Sequence, residues 1–297
     1  MIKISVVIPT FNRKDYLKKL LIQLGTQKLD SSIKLDIIVV NDGSSDYTSE
    51  MLSEEFPQVI TILGDGNWWW TKCINEGIKL ALNNNTDFVL LFNDDTEIKN
   101  NYINDLINDY RTLKSGSILC SASVSLQEKE KIDSAGIKYF SKLFGTYTRY
   151  YARNSQIDKN FKGIHECDSA SGRGTLIPRE ILLRLGLLDE KMVQYGSDED
   201  YILCAKEKGV PVFITWNNYV LNHTKLTGAG KFPQDMSFFD YLSTFFNKYT
   251  NKSLSLNFYF YKKHCYPFLA PFCLLYFFSS EIAIFFLRKK ENFFSKK

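Results

Sequence analysis

The 297-residue chain is expected to fold as an α/β domain, a mostly parallel sheet flanked by helices, with a C-terminal aromatic-rich helical appendage. Three observations carry that expectation. Short β-branched apolar runs alternate with helix-period segments through the first third of the chain, the pattern of a sheet covered on both faces. Polar, acidic turns follow the second and fourth of those runs, at the strand ends where such sheets collect ligands. Fifteen of the 23 Phe lie at or after Phe232, so the last 66 residues have a composition of their own. Residues 1–230 are accordingly read as the α/β domain and 231–297 as a helical, membrane-associating or oligomerising segment.

The elements follow in order. Ile4–Ile8 is a strand ended by Pro9, and Leu17, Leu20, Leu21 and Leu24 recur at helical spacing within Lys14–Leu24. Leu35–Val40 is a second strand, running into Asn41-Asp42-Gly43-Ser44-Ser45-Asp46, whose last residues can cap a helix over Thr48–Phe56. Val59–Leu63 leads through Gly64 and Gly66 to a helix near Thr71–Leu82. Phe88–Phe92 then runs into Asn93-Asp94-Asp95-Thr96. Beyond it, Ser117–Ser125 reads as a strand, Gly136–Asn160 shows no clear period, and Cys167–Ile177 crosses the Gly-rich turn Ser171-Gly-Arg-Gly174. Pro178–Leu185 reads as a helix with Pro in its first turn. Asp198–Lys208 is another helix and Pro211–Trp216 a strand.

Apolar residues make up 44% and charged residues 24%, which excludes a disordered or collagen-like chain. Lys and Arg exceed Asp and Glu by four, but residues 288–297 hold five basic residues and one acid, so the rest of the chain is neutral. No basic face suited to nucleic acid follows from those counts, and a membrane surface is the better partner for the terminal cluster. The six cysteines form no CxxC pair and the chain opens directly into a strand-like run, so reduced thiols in a cytosolic protein are expected. Cys265–Leu287 is 23 residues long with Glu281 as its single charge and basic residues on both flanks. Its length suits a bilayer span. Pro267, Pro271 and Glu281 favour a helix lying in the interface, with an aromatic subdomain or a homodimer contact as the alternatives.

Adjacent carboxylates at a strand end are costly to hold together unless a cation offsets them. Asp94 and Asp95 are such a pair, suited to Mg²⁺ or Mn²⁺ shared with phosphate oxygens, or else a solvated turn. Ser197-Asp198-Glu199-Asp200 offers carboxylates either as a general base or as the acidic start of a helix, and both can hold at once. Trp68-Trp69-Trp70 presents flat faces for a sugar or for packing. At least one of the three must point into the core, the run itself does not say which, and Trp69 is carried as the sugar-binding candidate.

Taken in order, Val6–Arg13, Val39–Asp46, Asn67–Gly77, Phe92–Glu97, Gly172–Arg179, Leu188–Glu190 and Ser197–Tyr201 resemble the family 2 glycosyltransferases over roughly residues 3–225. These are inverting enzymes of GT-A fold that use nucleotide-sugar donors. The sequence is most similar to bacterial members that build O-antigen or capsule, the rhamnosyltransferase-like ones among them. The resemblance implies that Pro9, Thr10, Phe11, Arg13 and Asp42 surround the donor's nucleotide, with Asp42 on the base and Asn75 and Gly77 nearby. The family's D-x-D falls on Asn93-Asp94-Asp95, so its first acid is Asn here. Asp95 is then the direct metal ligand, and Asp94 lies closer to the sugar or ribose. His223 matches the late histidine that helps bind metal or diphosphate. Asp198 takes the catalytic-base position, with Ser197 replacing the usual Glu. Gly172, Arg173, Gly174, Glu199 and Asp200 are assigned to the acceptor and donor sugar, Arg173 being either a phosphate contact or a solvated loop residue.

The implied protein moves a sugar onto a hydroxyl of a glycan, lipid-linked and met at the cytoplasmic membrane leaflet. A sugar nucleotidyltransferase would want a Gly-rich basic loop after the first strand, where Pro9-Thr-Phe-Asn-Arg13 stands. A non-catalytic carbohydrate or membrane adaptor would account for Asn93 and Ser197, while the joint presence of Asp42, Asp95, Asp198 and His223 argues against it.

Overall fold

The computed structural model describes residues 1–128, 130–223 and 236–295, with side chains described to residue 290. The boundary at 230/231 lies outside the described residues. In chain order the elements are β1 (Ile2–Thr10), α1 (Lys14–Gly25), β2 (Ile33–Asn41), α2 (Thr48–Glu55), β3 (Ile60–Leu63), α3 (Trp69–Asn83), β4 (Phe88–Leu91), β5 (Thr96–Glu97), α4 (Tyr102–Arg111), β6 (Ile118–Ser125), β7 (Ile132–Ser134), β8 (Ile137–Ser141), β9 (Thr146–Arg149), β10 (Ile164–Glu166), β11 (Thr175–Pro178), α5 (Arg179–Leu185), α6 (Ser197–Glu207), β12 (Val212–Asn222), α7 (Phe238–Ser243), α8 (Leu254–His264) and α9 (Ala270–Ser295).

The main sheet runs β10-β12-β6-β11-β4-β1-β2-β3, with β5 added on β12 and β7 on β6. β1 pairs in parallel with β2 and β4, β2 with β3, and β6 with β12. Between these two parallel sets lies β11, antiparallel to both β4 and β6. The sheet is therefore mixed, and the Gly-rich segment read as a turn ends in its central reversed strand. Pro178 closes that strand and precedes α5, so it caps the helix from outside its first turn. The segment without a clear period contains the β8–β9 hairpin, apart from the main sheet.

Side-chain alternation along β1 feeds two cores. Val7 joins Ile38, Val40, Ile74, Ile78 and Leu91 on one face, while Ile4, Val6 and Ile8 join Leu17, Leu20, Val39, Leu90 and Ile103 on the other. Gly77 explains how closely α3 approaches: a Cβ there would come within 2.3 Å of Val7 Cγ1. Gly77 thus serves helix–sheet packing.

The tail is docked on the α/β domain. Phe140, Met192 and Leu203 share a buried cluster with Phe260, Tyr261, Cys265, Ala270 and Cys273. A second cluster, Tyr241, Phe245 and Phe285 with Phe277, Phe278 and Ile282, lies within the tail itself. Glu281, the charge inside the apolar helix, accepts a hydrogen bond from Tyr241 Oη (2.9 Å) and pairs with Lys252. Its burden is met by protein groups on the inner face of α9.

Candidate active site

A cavity of about 410 Å³ opens at the carboxyl ends of β1, β2 and β4. Its floor is acidic: Asp94 and Asp95 are 5% and 1% exposed. Thr10 Oγ1 donates to Asp94 Oδ2 (2.9 Å), and Arg13 Nη1 reaches Asp94 Oδ1 (3.2 Å) and Asp95 Oδ2 (3.1 Å). Burial pushes the Asp94 carboxyl up to about 6, against the pull of Arg13 and with a further push from Asp95. Among the described residues the buried Asp95 Oδ1 has no hydrogen-bond partner. An orphaned carboxylate oxygen beside a second carboxylate is a donor set that fits a hard divalent cation such as Mg²⁺ or Mn²⁺.

Asp42, at the end of β2, lines the cavity but spends its carboxylate on the backbone. It accepts from the N–H groups of Gly66 (2.9 Å), Trp68 (3.0 Å) and Trp69 (2.9 Å), and so shapes the loop into α3. Gly64 must stay small for this, since a Cβ there would stand 2.5 Å from Asp42 Oδ1. The three tryptophans then diverge. Trp68 packs at the edge of the core under Lys72, and Trp70 Nε1 donates to Asn93 Oδ1 at 2.9 Å. Trp69, with φ of 59°, faces the cavity and stacks on Tyr249 of the tail at 4.0 Å between ring centres. A bulky residue in left-handed backbone is uncommon, and here two fixed contacts hold it, the Asp42 hydrogen bond and the Tyr249 ring.

On the opposite wall, Asp198 Oδ2 accepts from the Gly172 backbone N–H at 2.7 Å. A Cβ at Gly172 would stand 3.2 Å from both Asp198 Cβ and Trp70, so the loop lies flat against the carboxylate. Arg173 lines the same wall with Nη1 3.4 Å from Asp133 Oδ2, and its buried Nε has no partner among the described residues. Tyr195 lies near both arginines, and burial raises its hydroxyl above the ordinary range. Cys73 also touches the cavity, and burial pushes its thiol up to about 12, which makes it a poor nucleophile.

Of the sequence-derived site residues, Pro9, Thr10, Phe11, Arg13, Asp42, Trp69, Asp94, Asp95, Gly172, Arg173 and Asp198 line the cavity. Six do not. Besides Gly77, Asn75 is buried and bonds the backbone N–H and C=O of Leu188 (both 3.0 Å) and Glu190 (2.9 Å), holding the segment that precedes α6. Gly174 has φ of 70° and packs against Tyr102 and Ser121. His223 has Glu97 3.0 Å from Nε2 and Gln127 2.9 Å from Nδ1, with Tyr16 at its edge. Glu199 accepts from Tyr147 Oη at 3.2 Å. Asp200 is bound by Lys263 (2.8 Å) and His264 (2.7 Å). It also lies with Cys204 and His264 in a group close enough to hold an ion, but the Lys263 ammonium already offsets its charge. Asn93, Trp70, Ser171, Gln194, Tyr195, Gly196 and Tyr249 line the cavity without having been singled out as site residues. The proximity of Gln194, Tyr195 and Gly196 to the acidic motif was a usable signal, whereas Tyr249 arrives from the tail and left none.

A mixed sheet with an acidic cleft at its parallel strand ends and a helix start on the facing wall is the architecture of GT-A transferases. The family model for glycosyl transferase family 2 matches residues 5–184. The chain belongs to that family. It is 27% identical over 170 residues to the glycosyltransferase GlyA of Streptococcus pneumoniae serotype 4, covering 56% of this chain and 23% of that one. It is 20% identical over 244 residues to the dolichyl-phosphate beta-glucosyltransferase ALG5A of Trichomonas vaginalis, covering 78% of this chain and 71% of that one. Among solved structures, TarS 1-349 of S. aureus superposes with a TM-score of 0.56 at 15% identity, covering 100% of this chain and 92% of that one, a likeness of fold. The chain thus spans about a quarter of the pneumococcal relative's length and most of the Trichomonas one.

Proposed function

We propose that the chain is an inverting glycosyltransferase that moves a sugar from a nucleoside-diphosphate sugar to a hydroxyl of a lipid-linked glycan, with Asp198 as general base. The observation that carries the reading is the pairing of Asp198, anchored by the Gly172 N–H, with the acidic, arginine-bearing floor across one cavity. An acceptor hydroxyl is a poor nucleophile until its proton is removed, and a fixed carboxylate removes it as the new bond to the anomeric carbon forms. The bond from that carbon to the diphosphate oxygen breaks on the opposite face, which inverts the centre. Arg13 and Arg173 line the cavity and would meet the charge that builds on the departing diphosphate, while Phe11 and Trp69 offer flat faces at its wall. Asp95, with Asp94 beside it, would hold a divalent cation, which when bound offsets diphosphate charge. Asp42 acts on the base end through the loop it shapes.

The tail supports a lipid-borne acceptor. Pro267–Lys290 is long and apolar enough to cross a membrane. Phe268, Phe272, Leu275, Tyr276, Phe286 and Leu287 are exposed, while the other face of α9 packs on the tail core. Such one-sided burial suits a helix lying in the interface, with Arg288, Lys289 and Lys290 toward anionic headgroups. One relative is named a dolichyl-phosphate beta-glucosyltransferase, which accords with this reading. The direct test is Asp198→Asn. Turnover with a nucleotide sugar should fall by about 10²-fold or more with donor affinity kept. Unchanged turnover in that variant overturns the base.

A further inference from the structure

The stretch from Asp189 to Asp200 carries Gln194, Tyr195, Gly196 and Asp198 to the cavity, and one face of α8 holds both of its ends. At the near end, Tyr259 Oη donates to Asp189 Oδ2 at 2.7 Å and Lys263 Nζ lies 3.3 Å from the same oxygen. At the far end, Lys263 Nζ lies 2.8 Å from Asp200 Oδ2 and His264 Nε2 lies 2.7 Å from Asp200 Oδ1. Tyr259 and Lys263 are four residues apart, so one helix face makes these contacts. Asp200 is 2% exposed and His264 1%. A carboxylate so buried is tolerated only with its partners present, and here both come from the tail. Burial would lower the Lys263 ammonium, but the hydrogen bond and charge of Asp200 outweigh it and hold it above its ordinary range.

Asp200 and Asp198 share the first turn of α6, whose entry passes through Gly196 at φ of 86°. A slip of that turn would carry the Asp198 carboxylate off the Gly172 N–H. Resting on Asp198 as the base, we propose that Lys263 and His264 are positioning residues for the transfer step, fixing the first turn of α6 through Asp200 so that Asp198 meets the acceptor hydroxyl. The tail is then part of the catalytic apparatus as well as a mooring.

The test uses the full-length chain and a nucleotide-sugar donor with a soluble acceptor analogue, which removes membrane attachment from the readout. Lys263→Met and His264→Phe should each lower kcat by about 10- to 100-fold, the scale of a misplaced catalytic group, with donor KM and donor affinity moving less than about threefold. Lys263→Arg should restore most of the loss. An Asp200→Asn/Lys263→Met double variant, which leaves no buried charge unpaired, should fold and still turn over slowly. Wild-type kcat in that double variant, or in folded Lys263→Met and His264→Phe, overturns the positioning role while a dead Asp198→Asn leaves the base standing. Parallel loss of donor affinity and kcat overturns it as well, since that is the mark of a merely structural contact. An active Asp198→Asn overturns the base and this inference together.

Discussion

At the scale of single residues, consecutive acids in this chain have unrelated tasks. Asp198, Glu199 and Asp200 begin one helix, where successive side chains point about 100° apart, so they reach the cavity, the β8–β9 hairpin and α8 respectively. Part of the Glu199 residue reaches the surface, but its carboxyl is enclosed, and burial with the nearby Asp198 charge pushes it up to about 7. The unfolded chain releases that proton near the ordinary glutamate range. Stability from this site is therefore complete below that range and is lost as pH rises through about 7. Glu199→Gln removes the titration, so the variant's unfolding free energy relative to wild type should improve by up to a few kcal/mol from pH 5 to pH 8, read by urea unfolding. A difference that stays flat with pH would place the carboxylate in solvent, and the opposite slope would mean that the fold favours its charged form. The orphaned Asp95 Oδ1 leads to a second expectation. Asp95→Ala should weaken Mn²⁺ binding in calorimetry by at least about tenfold with the melting temperature kept, and unchanged Mn²⁺ affinity would remove Asp95 as ligand. Asp94, Asp95 and Asp198 were legible from strand-end acids and a helix start. Asn75, His223 and Asp200 were not, because their partners lie 63 to 126 residues away.

Elements were legible where periodicity was local. β1, α1, β2, α2, β3, α3 and β4 fall close to the segments read from spacing, because their apolar residues repeat at the period of each element, although β3 at the sheet edge stays largely exposed. β11 escaped notice because a four-residue strand beside two glycines has no period to display, and only its neighbours β4 and β6 define it. The α3–β1 contact makes a stability prediction. Gly77→Ala would gain helix propensity of about 1 kcal/mol, but its Cβ would meet Val7 Cγ1 at 2.3 Å, and overpacking costs about 1–3 kcal/mol. Net destabilisation should appear in denaturant unfolding. A stabilised variant would show that α3 can lift from the sheet.

For the molecule as a whole, the tail is two things at once: a cluster packed on Phe140, Met192 and Leu203, and an outward apolar face. Composition announced the second and offered the first only as an alternative, because Tyr259, Lys263 and His264 find their partners only in the folded domain. Attachment to a membrane should depend on charge, since each basic residue near an anionic surface contributes on the order of 1 kcal/mol. Co-sedimentation with phosphatidylserine-containing vesicles should therefore be strong at low salt and weaker at high salt. A chain that ignores such vesicles and runs as a dimer would make the face an oligomer contact, and one that resists both salt and carbonate would make it a span. The stack of Trp69 on Tyr249 also has an optical side. An indole lying against a phenol at the rim of the cleft reports on that contact by its emission, so entry of a ligand that parts the two rings can be followed in the native chain without any label.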